Sequence, residues 1–163
     1  MFSKKGIFCL IVVLLATMCV CADQTESEPN DSSSSADGPI NFNETLTGGL
    51  PGSYGGDSSS PQDWWSFSAV AGRTYTFNAQ ATNCSSAMLG GLDLALDIEN
   101  SSGSVVAQED SGFDCDSETI VWNCSSSGTY YLVVWEATST PDGISGYTVS
   151  CQEDASVDDW ELY

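Results

Sequence analysis

The chain has 163 residues, with 23 Asp and Glu against three Lys and Arg, a formal net charge of −20 and no histidine. So acidic a chain offers no cationic footprint to nucleic acid or to anionic lipid, both of which are held through clustered Lys and Arg. Lacking histidine, it also lacks the usual base of serine catalysis.

The chain begins with a leader. Lys4 and Lys5 precede an apolar run over residues 7–20, and Val20-Cys21-Ala22 offers small residues where a signal peptidase cuts. Residues 1–22 are therefore expected to be a secretory signal removed in the mature protein. The apolar run falls short of the roughly 20 residues a membrane span requires. No span is expected after cleavage, and the mature protein is expected to be secreted, extracellular or at the cell surface. Cleavage also removes Lys4 and Lys5, leaving Arg73 alone against every Asp and Glu in the chain. Bound divalent cations or a solvated acidic surface would each account for that excess.

Residues 23–38 form a polar segment with Ser32 to Ser35 in a row. It lacks the apolar surface to fold alone and reads as a linker unless a metal ties it down. The same segment carries Glu26-Ser27-Glu28-Pro29-Asn30-Asp31, three carboxylates and an amide within six residues. Some thirty residues later Asp63 stands at the mouth of the aromatic stretch Trp64-Trp65-Ser66-Phe67. Hard oxygen donors at this density suit calcium, which takes roughly 6–8 of them in irregular geometry. The alternative is that Asn30 and Asp31 simply cap a turn.

Period-2 alternation recurs through residues 39–152. A weak strand is expected over 42–50. Trp65, Phe67 and Ala69 alternate with Trp64, Ser66 and Ser68, and Tyr75, Phe77 and Ala79 alternate with Thr74, Thr76 and Asn78. Residues 92–98 place four aliphatics on one face and Asp93 and Asp97 on the other. Further strands are expected over 104–108, 118–124, 129–136 and 146–151, with turns at Asn100-Ser101-Ser102-Gly103, Gly128 and Pro141-Asp142-Gly143. No stretch has a helical period. Seven or eight short strands at this spacing predict an all-β fold, an antiparallel, jelly-roll-like β-sandwich. Residues 153–163 read as an acidic tail.

Four cysteines remain after the leader: Cys84, Cys115, Cys124 and Cys151. An even number in an exported chain points to disulfides. Strands 74–81 and 118–123 read as antiparallel neighbours, which brings Cys84 near Cys115, and elimination leaves Cys124 with Cys151. Three connectivities are possible, and alternation does not choose among them. With no histidine and no C-x-x-C pair, zinc is disfavoured.

If Tyr130, Leu132 and Val134 face the core, then Tyr131, Val133 and Trp135 face outward, and Trp64 lies on the polar face of its own strand. Trp64, Tyr131 and Trp135 are the candidate ligand-binding face, because flat rings give large contact area with few torsions to freeze. The alternative is that they fill the second face of the sandwich. Paired acids such as Asp114 and Asp116 are too common in this chain to mark a hydrolase, and no enzyme activity is expected.

Taken together, Glu28-Pro29-Asn30-Asp31, Asp63-Trp64-Trp65-Ser66-Phe67, Ala71-Gly72-Arg73-Thr74-Tyr75, Leu92-Asp93-Leu94, Gly128-Thr129-Tyr130-Tyr131-Leu132-Val133-Val134 and Gly146-Tyr147-Thr148-Val149 resemble the bacterial and archaeal pre-peptidase C-terminal domain. That sandwich module is similar to the collagen-binding domain of clostridial collagenases. The resemblance implies a calcium site at Glu26, Glu28, Asn30, Asp31 and Asp63. Asp57, in a Ser- and Gly-rich stretch that departs from the family pattern, is a sixth candidate. The function expected is a secreted, non-catalytic binding or adhesion module for an extracellular protein or polysaccharide, its N-terminal segment stabilised by calcium. The alternative is a structural or accessory cell-envelope protein without a discrete ligand.

Overall fold

The computed structural model describes residues 23–50, 62–82, 92–113, 115–137 and 145–154. The expected leader, Asp57, Cys84 and residues 155–163 of the acidic tail lie outside these. Nine strands are present among the described residues: β1 (Gln24–Thr25), β2 (Thr45–Leu50), β3 (Gln62–Ala69), β4 (Thr74–Ala81), β5 (Leu94–Asn100), β6 (Val105–Glu109), β7 (Glu118–Asn123), β8 (Gly128–Glu136) and β9 (Ser145–Asp154). They form two sheets, one ordered β1-β2-β9-β4-β7 and the other β3-β8-β5-β6. Every pairing is antiparallel except the short parallel contact of β1 with β2. The all-β sandwich is the architecture expected from the alternation.

Alternation places the core. Trp65, Phe67 and Ala69 of β3, Tyr75, Phe77 and Ala79 of β4, Leu94, Leu96 and Ile98 of β5, and Tyr130, Leu132 and Val134 of β8 are all buried. Successive side chains of a strand point to opposite faces, so each strand contributes one row to the interior. Aromatic rings fill the middle. Trp122 and Tyr130 have centroids 4.7 Å apart, Phe67 and Phe77 5.2 Å, and Phe42 and Tyr75 5.0 Å, in the tilted arrangements that ring quadrupoles favour.

Several expectations are corrected. The polar N-terminal segment is more than a linker. β1 pairs with β2, and Asp37 forms a parallel bridge to Trp65. The segment thus runs along two open sheet edges, β2 of one sheet and β3 of the other, where unpaired backbone groups are available to it. β5 starts at Leu94, and Asp93 is buried rather than on a polar face. β9 runs on to Asp154, past the domain boundary drawn at residue 152.

The cysteines divide in two. Strands β4 and β7 are neighbours as expected, and Cys115 is disulfide-bonded; Cys84, its expected partner, is outside the described residues. Cys124 and Cys151, expected to pair, are both buried free thiols. The strand order explains this. Cys151 of β9 lies opposite Phe77 of β4, while Cys124 meets Arg73 just before the same strand on its other side. The two cysteines are separated by two strand spacings, about 9–10 Å, and offset along the strand as well. A disulfide tolerates a Cα separation of no more than about 7 Å. Burial pushes the Cys151 thiol up to about 12.

Candidate metal centre

The arm formed by residues 23–40 reaches the seam between the sheets because its backbone is held at both ends. On the β2 side the amide of Glu26 donates to the Thr47 carbonyl at 3.0 Å. On the β3 side Trp64 donates to the Asn30 carbonyl at 3.0 Å, Asp37 donates to the Trp64 carbonyl at 2.9 Å, and Ser66 donates to the Asp37 carbonyl at 2.7 Å. Gly38 makes the close approach feasible. Its φ is +113°, and a Cβ there would come within 2.6 Å of the Ser66 carbonyl oxygen. The Asp37 carboxylate ties the arm to itself, accepting from the Ser27 amide at 2.7 Å and from Asn30 Nδ2 at 3.2 Å.

This path brings Glu26 and Glu28 to Asp63, the first inward-facing residue of β3. One carboxylate oxygen from each of the three lies within 4.8 Å of the others. Asp63 and Asn30 are fully buried. Neither carboxylate oxygen of Asp63, nor Oδ1 of Asn30, makes a hydrogen bond of good geometry, although the Tyr147 hydroxyl and the Glu26 carboxyl lie close to Asp63. Asn30 adjoins the group through its amide, which donates to Glu28 Oε2 at 3.3 Å. Burial, then the neighbouring Glu26 carboxylate, pushes the Asp63 carboxyl up to about 9.

The surroundings hold Glu26 firmly. Gly49 donates its amide to Glu26 Oε1 at 2.6 Å, and the Tyr147 hydroxyl donates to Glu26 Oε2 at 3.5 Å. Tyr147 is itself positioned by Trp65, whose indole N–H donates to the tyrosine oxygen at 3.0 Å. Gly48 clears the space, since a Cβ there would overlap the Tyr147 hydroxyl and the Glu26 carboxylate.

Buried carboxylate oxygens without donors are costly. A divalent cation bound there would remove that cost. The donors are all oxygens, which suits calcium and not zinc. Two ligands on opposite sides of a calcium ion, each about 2.4 Å from it, stand about 4.8 Å apart, so the observed separations fit a single ion. Of the six expected ligands, the structure brings Glu26, Glu28 and Asp63 together with Asn30 beside them. Asp31 is exposed and stands outside the group. Asp57 is not among the described residues.

Asp37 and Gly48 were not singled out from sequence, and Tyr147 was named only within the family-like stretch Gly146-Tyr147-Thr148-Val149. Asp37-Gly38-Pro39 has turn chemistry that could have drawn attention to it, but nothing local marks Gly48 or Tyr147 as neighbours of an acidic arm.

The aromatic candidates lie on the outer face of the four-stranded sheet. Trp64, Tyr131 and Trp135 are each half-buried. The Trp64 and Tyr131 rings meet edge-on with centroids 5.7 Å apart. Trp64 directly follows Asp63, so the candidate metal centre and the aromatic face share a strand.

No family model matches the sequence, and no curated protein matches it. Among solved structures the chain is similar to the pre-peptidase C-terminal domain of collagenase from Bacillus anthracis, at 21% identity and a TM-score of 0.47, covering 69% of this chain and 91% of that one. It is also similar to Aeromonas hydrophila PliG, a periplasmic lysozyme inhibitor of g-type lysozyme, at 17% identity and a TM-score of 0.46, covering 80% of this chain and 100% of that one. The first of these carries the family description that the sequence motifs resemble. Among the described residues no helix is long and apolar enough to cross a membrane.

Proposed function

We propose that this protein is an exported, non-catalytic binding module whose N-terminal arm is clamped by a calcium ion. The observation that carries the reading is Asp63, fully buried beside Glu26 and Glu28 with neither oxygen making a hydrogen bond of good geometry. Glu26 and Glu28 from the arm and Asp63 from β3 would be the ion's carboxylate ligands, with Asn30 Oδ1 as an amide oxygen. The ion would supply the positive charge that lets all three acids ionise together. Its binding free energy would add to folding stability by mass action, offsetting the entropy of ordering residues 23–40.

The same clamp bears on ligand binding. The Asn30 carbonyl that receives the Trp64 amide lies next to the cluster, so fixing the arm fixes the edge of the aromatic face. That face, Trp64, Tyr131 and Trp135, would contact an extracellular protein or polysaccharide.

Thermal melts in calcium and in chelator test the clamp. At a calcium concentration 100 times Kd the gain is about 2.7 kcal/mol, worth on the order of 10 °C for a domain of this size. Identical melts in both conditions would remove the metal from the account. Retention on collagen, chitin or cellulose, compared with Trp135→Ala, tests the face; equal retention of the two proteins would remove the face.

A further inference from the structure

The outer face of the four-stranded sheet has an order that the register makes explicit. Trp64 of β3 lies opposite Val133 of β8, which lies opposite Asp97 of β5. One row along, Gln62, Trp135 and Ala95 are aligned; on the other side, Ser66, Tyr131 and Glu99 are aligned. Partners across a ladder share a face, and diagonal neighbours are within reach of long side chains. Three aromatic rings therefore surround Val133, which is only 1% exposed although it points outward, and two carboxylates border them.

Two buried polar atoms of this face, Asp97 Oδ1 and Trp135 Nε1, make no hydrogen bond of good geometry, and the indole and the carboxylate lie close to one another. The indole lies close enough to lower the Asp97 carboxyl somewhat, yet burial and the nearby Glu99 win and push it up to about 6. The protein's own cation is committed elsewhere. Arg73, the single basic residue beyond residues 1–22, stands before β4 in the other sheet and pairs with Glu153 at 2.9 Å.

Resting on the reading of this face as a binding surface, we infer that its occupant is a lysine- or arginine-bearing segment of a basic protein, seated with its cationic group over the Trp64, Tyr131 and Trp135 rings and against Asp97 and Glu99. Aromatic faces attract ammonium and guanidinium groups through the ring quadrupole. The two carboxylates add the opposite charge at the border of the rings, where they favour a cationic ligand and penalise an anionic one. A neutral sugar stacked on the rings would cover the carboxylates and leave them without a counter-charge. The formal net charge of −20 steers basic partners toward the protein and repels acidic ones.

The test uses the whole mature chain loaded with calcium, a synthetic lysine-rich peptide as probe, its glutamate counterpart as control, and tryptophan fluorescence as readout. The double variant Asp97→Asn with Glu99→Gln keeps side-chain shape while removing charge. Asp23→Asn with Asp154→Asn removes the same charge from exposed positions off this face. The lysine peptide is expected to change the fluorescence and the glutamate peptide to leave it unchanged. The face variant should weaken binding about tenfold or more and the remote variant less than about twofold, with affinity falling as salt shortens the screening length.

Equal weakening by both variants would reduce the effect to the protein's overall field and overturn the inference. If the peptide fails to bind while a neutral polysaccharide is held in a Trp135-dependent way, the cationic occupant is overturned but the binding face stands. Failure of the peptide and of every matrix overturns both.

Discussion

Glu118 and Asp63 are both buried acids, 2% and 0% exposed, and the chain treats them in opposite ways. Glu118, at the start of β7, accepts from the Gly112 amide at 2.7 Å and from the Ser111 amide at 3.4 Å. Gly112 is needed there because a Cβ would collide with the glutamate. Asp63 has a comparable glycine close by, Gly48, but the room goes to a second carboxylate and a tyrosine hydroxyl rather than to amide donors. Glu153 shows a third arrangement, being held by Arg73 at 2.9 Å and by the Tyr75 hydroxyl at 2.9 Å. One acid is satisfied by backbone and one by the protein's own cation. Asp63 has neither, and it lies beside two further carboxylates, which is why the proposed ion is placed there.

The largest expected effect that separates these regions is on pH dependence. Metal-free, the Asp63 carboxyl titrates near 9 in the folded protein against an ordinary 3.8. Between those values the folded chain holds a proton that the unfolded chain has released, so this contribution to stability is whole below about pH 4 and is lost as pH rises toward 9. Even half of that displacement is worth roughly 3–4 kcal/mol. In chelator the melting temperature should therefore fall steadily across this range. In calcium the ion favours the ionised form, and the decline should flatten. Parallel curves in the two conditions would contradict the assignment.

Next in size is Glu118→Ala, which strands two amide donors and should cost about 2–3 kcal/mol, equally with calcium or chelator. A calcium-dependent loss would mean that the two acids are not independent. Gly48→Ala should act the other way round. Its Cβ displaces Glu26 and Tyr147, so calcium titration should show affinity reduced about tenfold or more, in line with the few kcal/mol that overpacking costs. Unchanged affinity would show that Glu26 does not contribute. The smallest effect is expected from Arg73→Ala. Its ion pair with Glu153 is partly exposed, at 32% and 24%, and such pairs are worth about 1 kcal/mol or less. Denaturant unfolding is sensitive enough to see it.

Much of this molecule is legible in the sequence where the signal is local. Residues 74–81 alternate cleanly, and β4 spans Thr74–Ala81 as expected. Glu26, Glu28 and Asp63 are conspicuous because oxygen donors concentrate around turn residues and an aromatic strand. What cannot be read locally depends on strand order. Pairing Cys124 with Cys151 by elimination ignores that β4 lies between their strands. The serine run hides Asp37, whose backbone bridges to β3 and whose carboxylate organises the arm. Tyr147 enters the site from β9 only because β9 pairs with β2, opposite Gly48.

The most direct measurement is the melting temperature of Asp63→Asn beside the wild type, each in calcium and in chelator. Removing a buried charge that lacks donors should raise the chelator value at pH 9 and abolish the gain from calcium, so that the order of the two proteins reverses between conditions. A variant destabilised by the same amount in both would show that Asp63 is an ordinary part of the fold and that no ion is held there.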